Sequence, residues 1–490
     1  MTTTYSEFYR DYSPVEGNDY LEEDNQKVAV ESFLSPLADA KVGIFDFSIL
    51  MIMWALCLIC SVKNFGRAGG GIFFLLGLLL VLRRPSNCIL LFLLLFFVPN
   101  DTLQLPIGPF RIVAAMGLAG YVIHGKWANL SGVFNKVFIW AAILVFYLPV
   151  TVILASNRDI ALSYYLKYVE GLIALFLVFA LIDSREQLGR ALKWWVIVSA
   201  LSLIVSLVHY GWGPNTFLGE IHLDPFAFQL LPNITTQVVI EGETISRIMW
   251  LGKDPNGHST NLIFALGVSL ALYSASQYRY KILWMIMALM IGAGILGTYS
   301  RTGLIVTFIV VSYFLLQRNI RAIFPLIFIV LGILAALIYI PALPLRIFSI
   351  ESAWEAGASS RFPLWVESIK MWLKSPVIGM GLRAFSEEHY FVVHNSYLQI
   401  LAEAGIIGAV LYGGIIVVVA KAMRRLKDMF LDKNAKDIVF AKAVMIGFWG
   451  MCLHIGAITY QDVKLFWMEC GVCGLMYYLT RKEFYEQEAF

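Results

Sequence analysis

The chain has 490 residues, 59% hydrophobic and only 14% charged, where an ordinary soluble domain carries about 25% charged residues. Its mean hydropathy of +0.73 is that of a membrane protein. A formal net charge of +3 excludes a nucleic-acid binder that works by bulk positive charge, and six cysteines are no disulfide framework.

Residues 1–42 form an acidic tail with nine carboxylates against Arg10, Lys27 and Lys41, the composition of a disordered segment. It lacks the basic start and apolar run of a secretory signal. Fourteen apolar stretches then follow, at about 44–62, 70–82, 88–99, 109–124, 134–155, 160–182, 188–210, 258–275, 282–299, 302–317, 321–342, 405–423, 437–458 and 463–480. Most approach the ~20 residues that a spanning helix needs. The second and third are short and flank Arg83-Arg84-Pro85, the pattern of a tilted or re-entrant pair. The expected fold is therefore an all-α, polytopic integral membrane protein with about 12–14 transmembrane helices.

Lysine and arginine in alternate connections set the orientation. Arg83 and Arg84, Lys126, Arg185 and Arg190, Arg279 and Lys281, Arg318 and Arg321, the run Lys421–Lys436, and Arg481 and Lys482 mark the cytoplasmic side. Both termini, including a short 481–490 tail, should lie inside, with a bundle over 43–480 between them. Two long loops, about 211–257 and 343–404, then fall on the outer face together with the Ser300-Arg301-Thr302 junction. Function is expected where these three segments meet.

The second loop opens with Ser359-Ser360-Arg361-Phe362-Pro363, and its apolar residues at 362, 365, 366, 369, 372 and 373 give an amphipathic helix lying in the interface plane. Trp365 on this helix either lines a groove for a lipid substrate or packs on the bundle. Beyond Gly379-Met-Gly381 comes His394-Asn-Ser-Tyr-Leu-Gln-Ile-Leu-Ala-Glu403-Ala-Gly405-Ile-Ile-Gly408, leading into a spanning stretch.

The segment from Arg361 to Gly408 resembles the signature region of the bacterial O-antigen ligase and O-antigen polymerase superfamily: arginine, tryptophan, proline, Gly-x-Gly, His-Asn, then Glu-x-Gly-x-x-Gly. Arg247-Ile-Met-Trp-Leu-Gly-Lys-Asp-Pro-Asn256 and Thr298-Tyr-Ser-Arg-Thr-Gly303 resemble two further segments of that family, so the signature region covers about 240–424. The resemblance implies a membrane glycosyltransferase of the GT-C type in the bacterial inner membrane. Such an enzyme takes a glycan from an undecaprenyl-pyrophosphate carrier on the outer face and joins it to a saccharide acceptor, either lipid A core or a growing polymer. O-antigen or exopolysaccharide biosynthesis, alongside other assembly and export proteins, would be its setting.

A pyrophosphate leaving group suits the planar, permanently charged guanidinium, which nominates Arg247 and Arg301. Arg301 interrupts two apolar stretches, where an arginine near the bilayer is costly, although it can also snorkel or close a turn with Gly303. An incoming sugar hydroxyl benefits from a base with a pKa near neutrality, and His394 is the choice among seven histidines. Asn395 either bonds a sugar or caps the following helix. Arg361 contacts phosphate or caps, and Glu403 contacts substrate or supports the helix. No acidic pair in the outer loops has a third partner, so neither metal nor other cofactor is expected: two arginines can do an ion's electrostatic work. Cys57-x-x-Cys60 and Cys470-x-x-Cys473 lie in apolar helices and are read as core.

The main rival is a secondary transporter of a small anion or saccharide, for which Glu170, His454 and Glu469 are the intramembrane candidates. A third reading, a scaffold for a polysaccharide assembly complex, would rest on the acidic tail.

Overall fold

The computed structural model describes residues 40–60, 66–96, 108–126, 135–212, 235–240, 243–248, 254–317, 358–430 and 435–488. Every apolar stretch expected between 44 and 317 is a helix. These are α1 (Ile44–Cys60), α2 (Gly66–Arg83), α3 (Asn87–Phe96), α4 (Pro109–Ile123), α5 (Lys136–Leu154), α6 (Arg158–Leu181), α7 (Arg185–Trp212), α8 (Pro255–Ala275), α9 (Tyr278–Gly297) and α10 (Arg301–Leu316). The stretch expected at 321–342 and the acidic tail up to residue 39 lie outside the described residues. Then come α11 (Ala358–Lys374), the short α12 (Ala384–His389), α13 (Ser396–Asp428), α14 (Ala435–His454) with a 3-10 turn over Ile455–Ala457, and α15 (Lys464–Glu488). That last helix carries through most of the segment expected as a separate tail.

One departure from a wholly helical chain falls in the first long loop. Strands β1 (Thr235–Ile240) and β2 (Glu243–Ile248) pair antiparallel, with Thr236 opposite Arg247. The reason is local: two runs rich in β-branched residues are separated only by Glu241-Gly242, a connection short enough for a hairpin. Among the described residues all other regular elements are helices, and the chain is an all-α polytopic membrane protein. Five described helices are long and apolar enough to cross a bilayer, within Lys136–Leu154, Arg158–Leu181, Tyr278–Gly297, Ser396–Asp428 and Lys436–Ala457. At 10 residues α3 is too short to cross alone. Asp46 of α1 bonds both Arg83 and Arg84 at the break before it, at 3.4 and 3.2 Å.

Helix α8 is buried on all sides for most of its length, as an apolar helix without a polar face must be. It crosses α14 where Gly267 meets Gly447, and a Cβ on Gly267 would lie 2.5 Å from the Gly447 Cα. Only glycine permits that approach. Outward-facing apolar side chains follow helical spacing: Ile143, Phe146, Val150 and Ile153 on α5 are all exposed, as are Ile282, Ile286 and Leu289 on α9. In water such stripes would be unfavourable; in a bilayer they are the lipid-facing surface.

The helix that carries the second loop into the membrane is broken. Within α13, Gly405 adopts φ +66, and the run Pro376–Gly381 fills the gap. Ile406 and Ile407 donate their amides to the carbonyls of Pro376 and Val377 at 2.9 and 3.3 Å, while Met380 and Gly381 donate to the carbonyls of Ala402 and Glu403 at 3.1 and 3.0 Å. The Tyr147 hydroxyl closes the set on the Ala404 carbonyl at 2.9 Å. Two amides and three carbonyls at the break are thus paired again, as burial in a membrane favours. Gly379 and Gly405 follow from this packing, since a Cβ on Gly379 would lie 2.4 Å from the Glu403 oxygen and one on Gly405 2.3 Å from the Val377 oxygen, and Gly381, the second glycine of the Gly-x-Gly motif, packs on α5, where a Cβ would lie 2.6 Å from the Ala155 Cα. Gly405 thus serves to interrupt the helix.

Candidate active site at one end of the helical bundle

The Ser300-Arg301-Thr302-Gly303 turn joins α9 to α10. Ser300 caps α10 by accepting the Gly303 amide at 3.3 Å, so Arg301 occupies the first helical position, where unpaired amides add positive potential. Gly303 is required because a Cβ there would lie 2.2 Å from the Ser259 hydroxyl of α8. The turn is tied to the bundle by His454 at the end of α14. Its Nε2 lies 3.2 Å from the Ser300 hydroxyl, and its Nδ1 lies 2.9 Å from that of Thr260.

His394 sits at the mouth of α13 with φ +54, a left-handed conformation that histidine tolerates better than most residues. It is held on both sides. Its amide donates to the Thr459 hydroxyl at 3.1 Å. The next residue, Asn395, accepts the Tyr397 and Leu398 amides at 3.0 and 3.1 Å. Asn395 therefore takes the capping alternative, which fixes the imidazole's attachment point. Gln399 steadies the approach, accepting the Val393 amide at 2.9 Å and the Thr459 hydroxyl at 3.4 Å while donating to Glu403. Glu403 is 2% exposed and also accepts the Arg383 amide. The carboxylate lies inside the loop that supports His394 rather than on a surface that a ligand could reach.

Arg361 stands in the first turn of α11. Burial lowers its pKa first, the like charge of Arg301 lowers it further, and Asp254 opposes both; a guanidinium nonetheless keeps its proton. His394 is pushed below the ordinary imidazole value of about 6.5 by burial first and then by Arg361, again with Asp254 opposing. Arg361 feels the charges of Asp254 and Arg301, and His394 those of Arg361 and Asp254, which places the four residues in one electrostatic neighbourhood. Two guanidinium groups beside one carboxylate and a neutral imidazole make a site that favours an anion and offers a proton acceptor next to it.

Trp365 packs inward with Met371, Phe385 and Val393 in a small cluster under α11. The other edge of the apolar face, Phe362, Ile369 and Leu373, stays exposed, as for a helix lying in the interface plane. Arg247 lies on β2, and its side chain is outside the described residues.

The intramembrane candidates of the transporter reading have other surroundings. Glu170 accepts Arg111 at 2.8 Å and Lys464 at 2.7 Å. His454 is committed to Ser300 and Thr260, and Glu469 is fully buried with neither oxygen hydrogen-bonded. Among the described residues no three histidine, cysteine or acidic side chains are grouped to hold a metal ion. Cys470 and Cys473 are free and buried, while the side chains of Cys57 and Cys60 are outside the described residues.

Asp254, Gln399 and Thr459 did not stand out in the sequence, and His454 did so only as a transporter candidate, not as the tie to the Ser300 turn. Two left a signal: Asp254 precedes a proline at a helix start and caps α8 on the Gly257 amide at 2.8 Å. A histidine deep in an apolar stretch, such as His454, must find polar partners somewhere. Thr459 and Gln399 are ordinary polar residues whose roles exist only in three dimensions.

No curated protein matches the chain. The O-antigen ligase family model matches residues 285–413, the stretch that carries Arg301, Arg361, His394, Asn395 and Glu403, with Arg247 and Asp254 outside it. That match, falling on the turn, the amphipathic helix and the histidine loop that the fold brings together, supports membership of the O-antigen ligase and polymerase superfamily.

Proposed function

We propose that this protein transfers or polymerises a lipid-linked glycan at the outer face of the bacterial inner membrane, with undecaprenyl pyrophosphate as the carrier. The observation that carries the reading is that Arg361 feels the charges of Arg301 and Asp254 while His394 feels those of Arg361 and Asp254. The arginines hold the pyrophosphate oxygens and stabilise the charge that builds up as the glycosidic C–O bond to the carrier breaks. His394, kept neutral by its burial and by Arg361, takes the proton from the acceptor hydroxyl as that oxygen attacks the anomeric carbon. Asn395 serves by fixing the histidine loop, and Trp365 by supporting α11 from beneath. Arg247 is assigned to the same pyrophosphate by the resemblance of its segment to the family's. The exposed edge of α11 lies against the headgroups, where a carrier's polar end would reside. The reaction needs no metal ion, because the guanidinium groups supply the positive charge.

The test is glycan transfer from a purified lipid-linked donor by the reconstituted protein, with and without a chelator. Full activity in chelator is expected, abolition would refute the metal-free mechanism, and unimpaired transfer by His394→Ala would refute the base. For the transporter alternative the discriminating pair is Glu170→Gln against His394→Ala. Loss of function confined to Glu170→Gln would favour transport.

A further inference from the structure

The connection between α14 and α15, residues 458–463, closes one side of a cavity of about 340 Å³, at the small end of the range for small-molecule sites. Asp254 of α8 and Thr459 line it, and both belong to the surroundings of His394, the first through its charge and the second by accepting the His394 amide. Lys167 of α6, Asp462 and Lys464 supply further charged groups, and Phe92 and Phe110 an apolar wall. The connection is itself anchored to the mouth of α13, because Ser396 donates to the Ile458 carbonyl and accepts the Tyr460 amide, each at 2.8 Å.

The charges in this cavity are paired. Lys167 lies 3.3 Å from Asp462, and Lys464 lies 2.7 Å from Glu170. An anion entering here would meet Asp254 and Asp462 without an uncommitted cation to receive it. A sugar fits better: each hydroxyl is one donor and two acceptors, and ammonium and carboxylate groups placed side by side satisfy both functions. We propose that this cavity is the acceptor-saccharide subsite, with Lys167 and Asp462 binding hydroxyls of the sugar that receives the glycan. The proposal rests on the glycosyl-transfer reading and divides its labour, the donor pyrophosphate on the arginine side and the acceptor on the Asp462 side, with the His394 loop between them.

The experiment uses the full-length protein in lipid nanodiscs, with purified lipid-linked donor and, as acceptor probe, the glycolipid extracted from a strain deleted for this protein. Lys167→Met and Asp462→Asn should each raise the acceptor KM about tenfold to a hundredfold, the loss of a charge-assisted hydrogen bond, and leave the donor KM unchanged. Val463→Trp, which narrows the cavity without touching its charges, should produce the same acceptor-selective rise and stands in for either charge variant that fails to fold. A rise in donor KM instead, or unchanged acceptor KM in folded variants, overturns the subsite and leaves the transfer reading intact. Absence of transfer by the unaltered protein overturns that reading, and the subsite with it.

Discussion

His394 combines a strained backbone with a lowered pKa, and both bear on how it would work. A base acts in its neutral form. An imidazole whose pKa lies below the ordinary value of about 6.5 stays neutral to lower pH, so the acidic limb of kcat/KM should fall below about pH 6.5. Arg361 is the cation that adds to the effect of burial. Arg361→Gln should therefore raise the imidazole pKa and move the acidic limb to higher pH, which a pH–rate profile of the residual activity reads directly; a limb that does not move would separate Arg361 from the base. His394→Ala should cost about 10²–10⁴-fold in kcat, the usual worth of a general base. Arg301→Lys retains the charge but not the fork of donors, and a loss of about tenfold or more in kcat/KM is expected. Activity equal to that of the unaltered protein would remove pyrophosphate binding from Arg301.

At the level of elements the decisive one is α13. Gly405→Ala would force a left-handed conformation costing about 1–2 kcal/mol and drive a Cβ to within 2.3 Å of the Val377 oxygen, so the melting temperature in detergent should fall. Gly413→Ala in the same helix, with nothing within 4 Å of the added carbon, should leave it unchanged or slightly higher. Equal melting temperatures for the two variants would contradict the role assigned to the break. This element also marks the limit of what the sequence disclosed. The apolar run from 405 was legible because bilayer thickness dictates its length, and so were the other spanning helices. The first nine residues of α13 read as loop because Ser396, Gln399 and Glu403 are polar, and their partners, Ile458, Val393 and the Arg383 amide, lie elsewhere in the chain. The hairpin was passed over for the opposite reason: its alternation is too short to stand out from a polar loop. Of the site, Arg301 was visible because a costly group at a membrane edge demands a reason, and Arg247, Arg361 and His394 because they stand in segments that resemble the family's. Asp254 and Thr459 were not, since ordinary residues acquire their meaning from distant contacts, and His454 read as a transporter candidate because its partners Ser300 and Thr260 lie far away in the chain.

For the molecule as a whole, the reading depends on which side of the membrane receives the histidine loop. Tyr390, 89% exposed, precedes that loop, and Lys436, also exposed, begins α14 after the basic run assigned to the cytoplasm. With a membrane-impermeant maleimide on intact spheroplasts, Tyr390→Cys should be labelled and Lys436→Cys only after permeabilisation. The reverse pattern would invert the topology and end the case for an outer-face transferase.

The interruption in α13 has a consequence for the rival reading. In carriers that rock between two open states, an unwound helix leaves carbonyls bare to coordinate a travelling cation, or supplies a pivot. Here the carbonyls of Ala402, Glu403 and Ala404 are all taken by Met380, Gly381 and Tyr147. The defect is splinted at those three oxygens, the ones an unwound helix would turn toward a travelling ion.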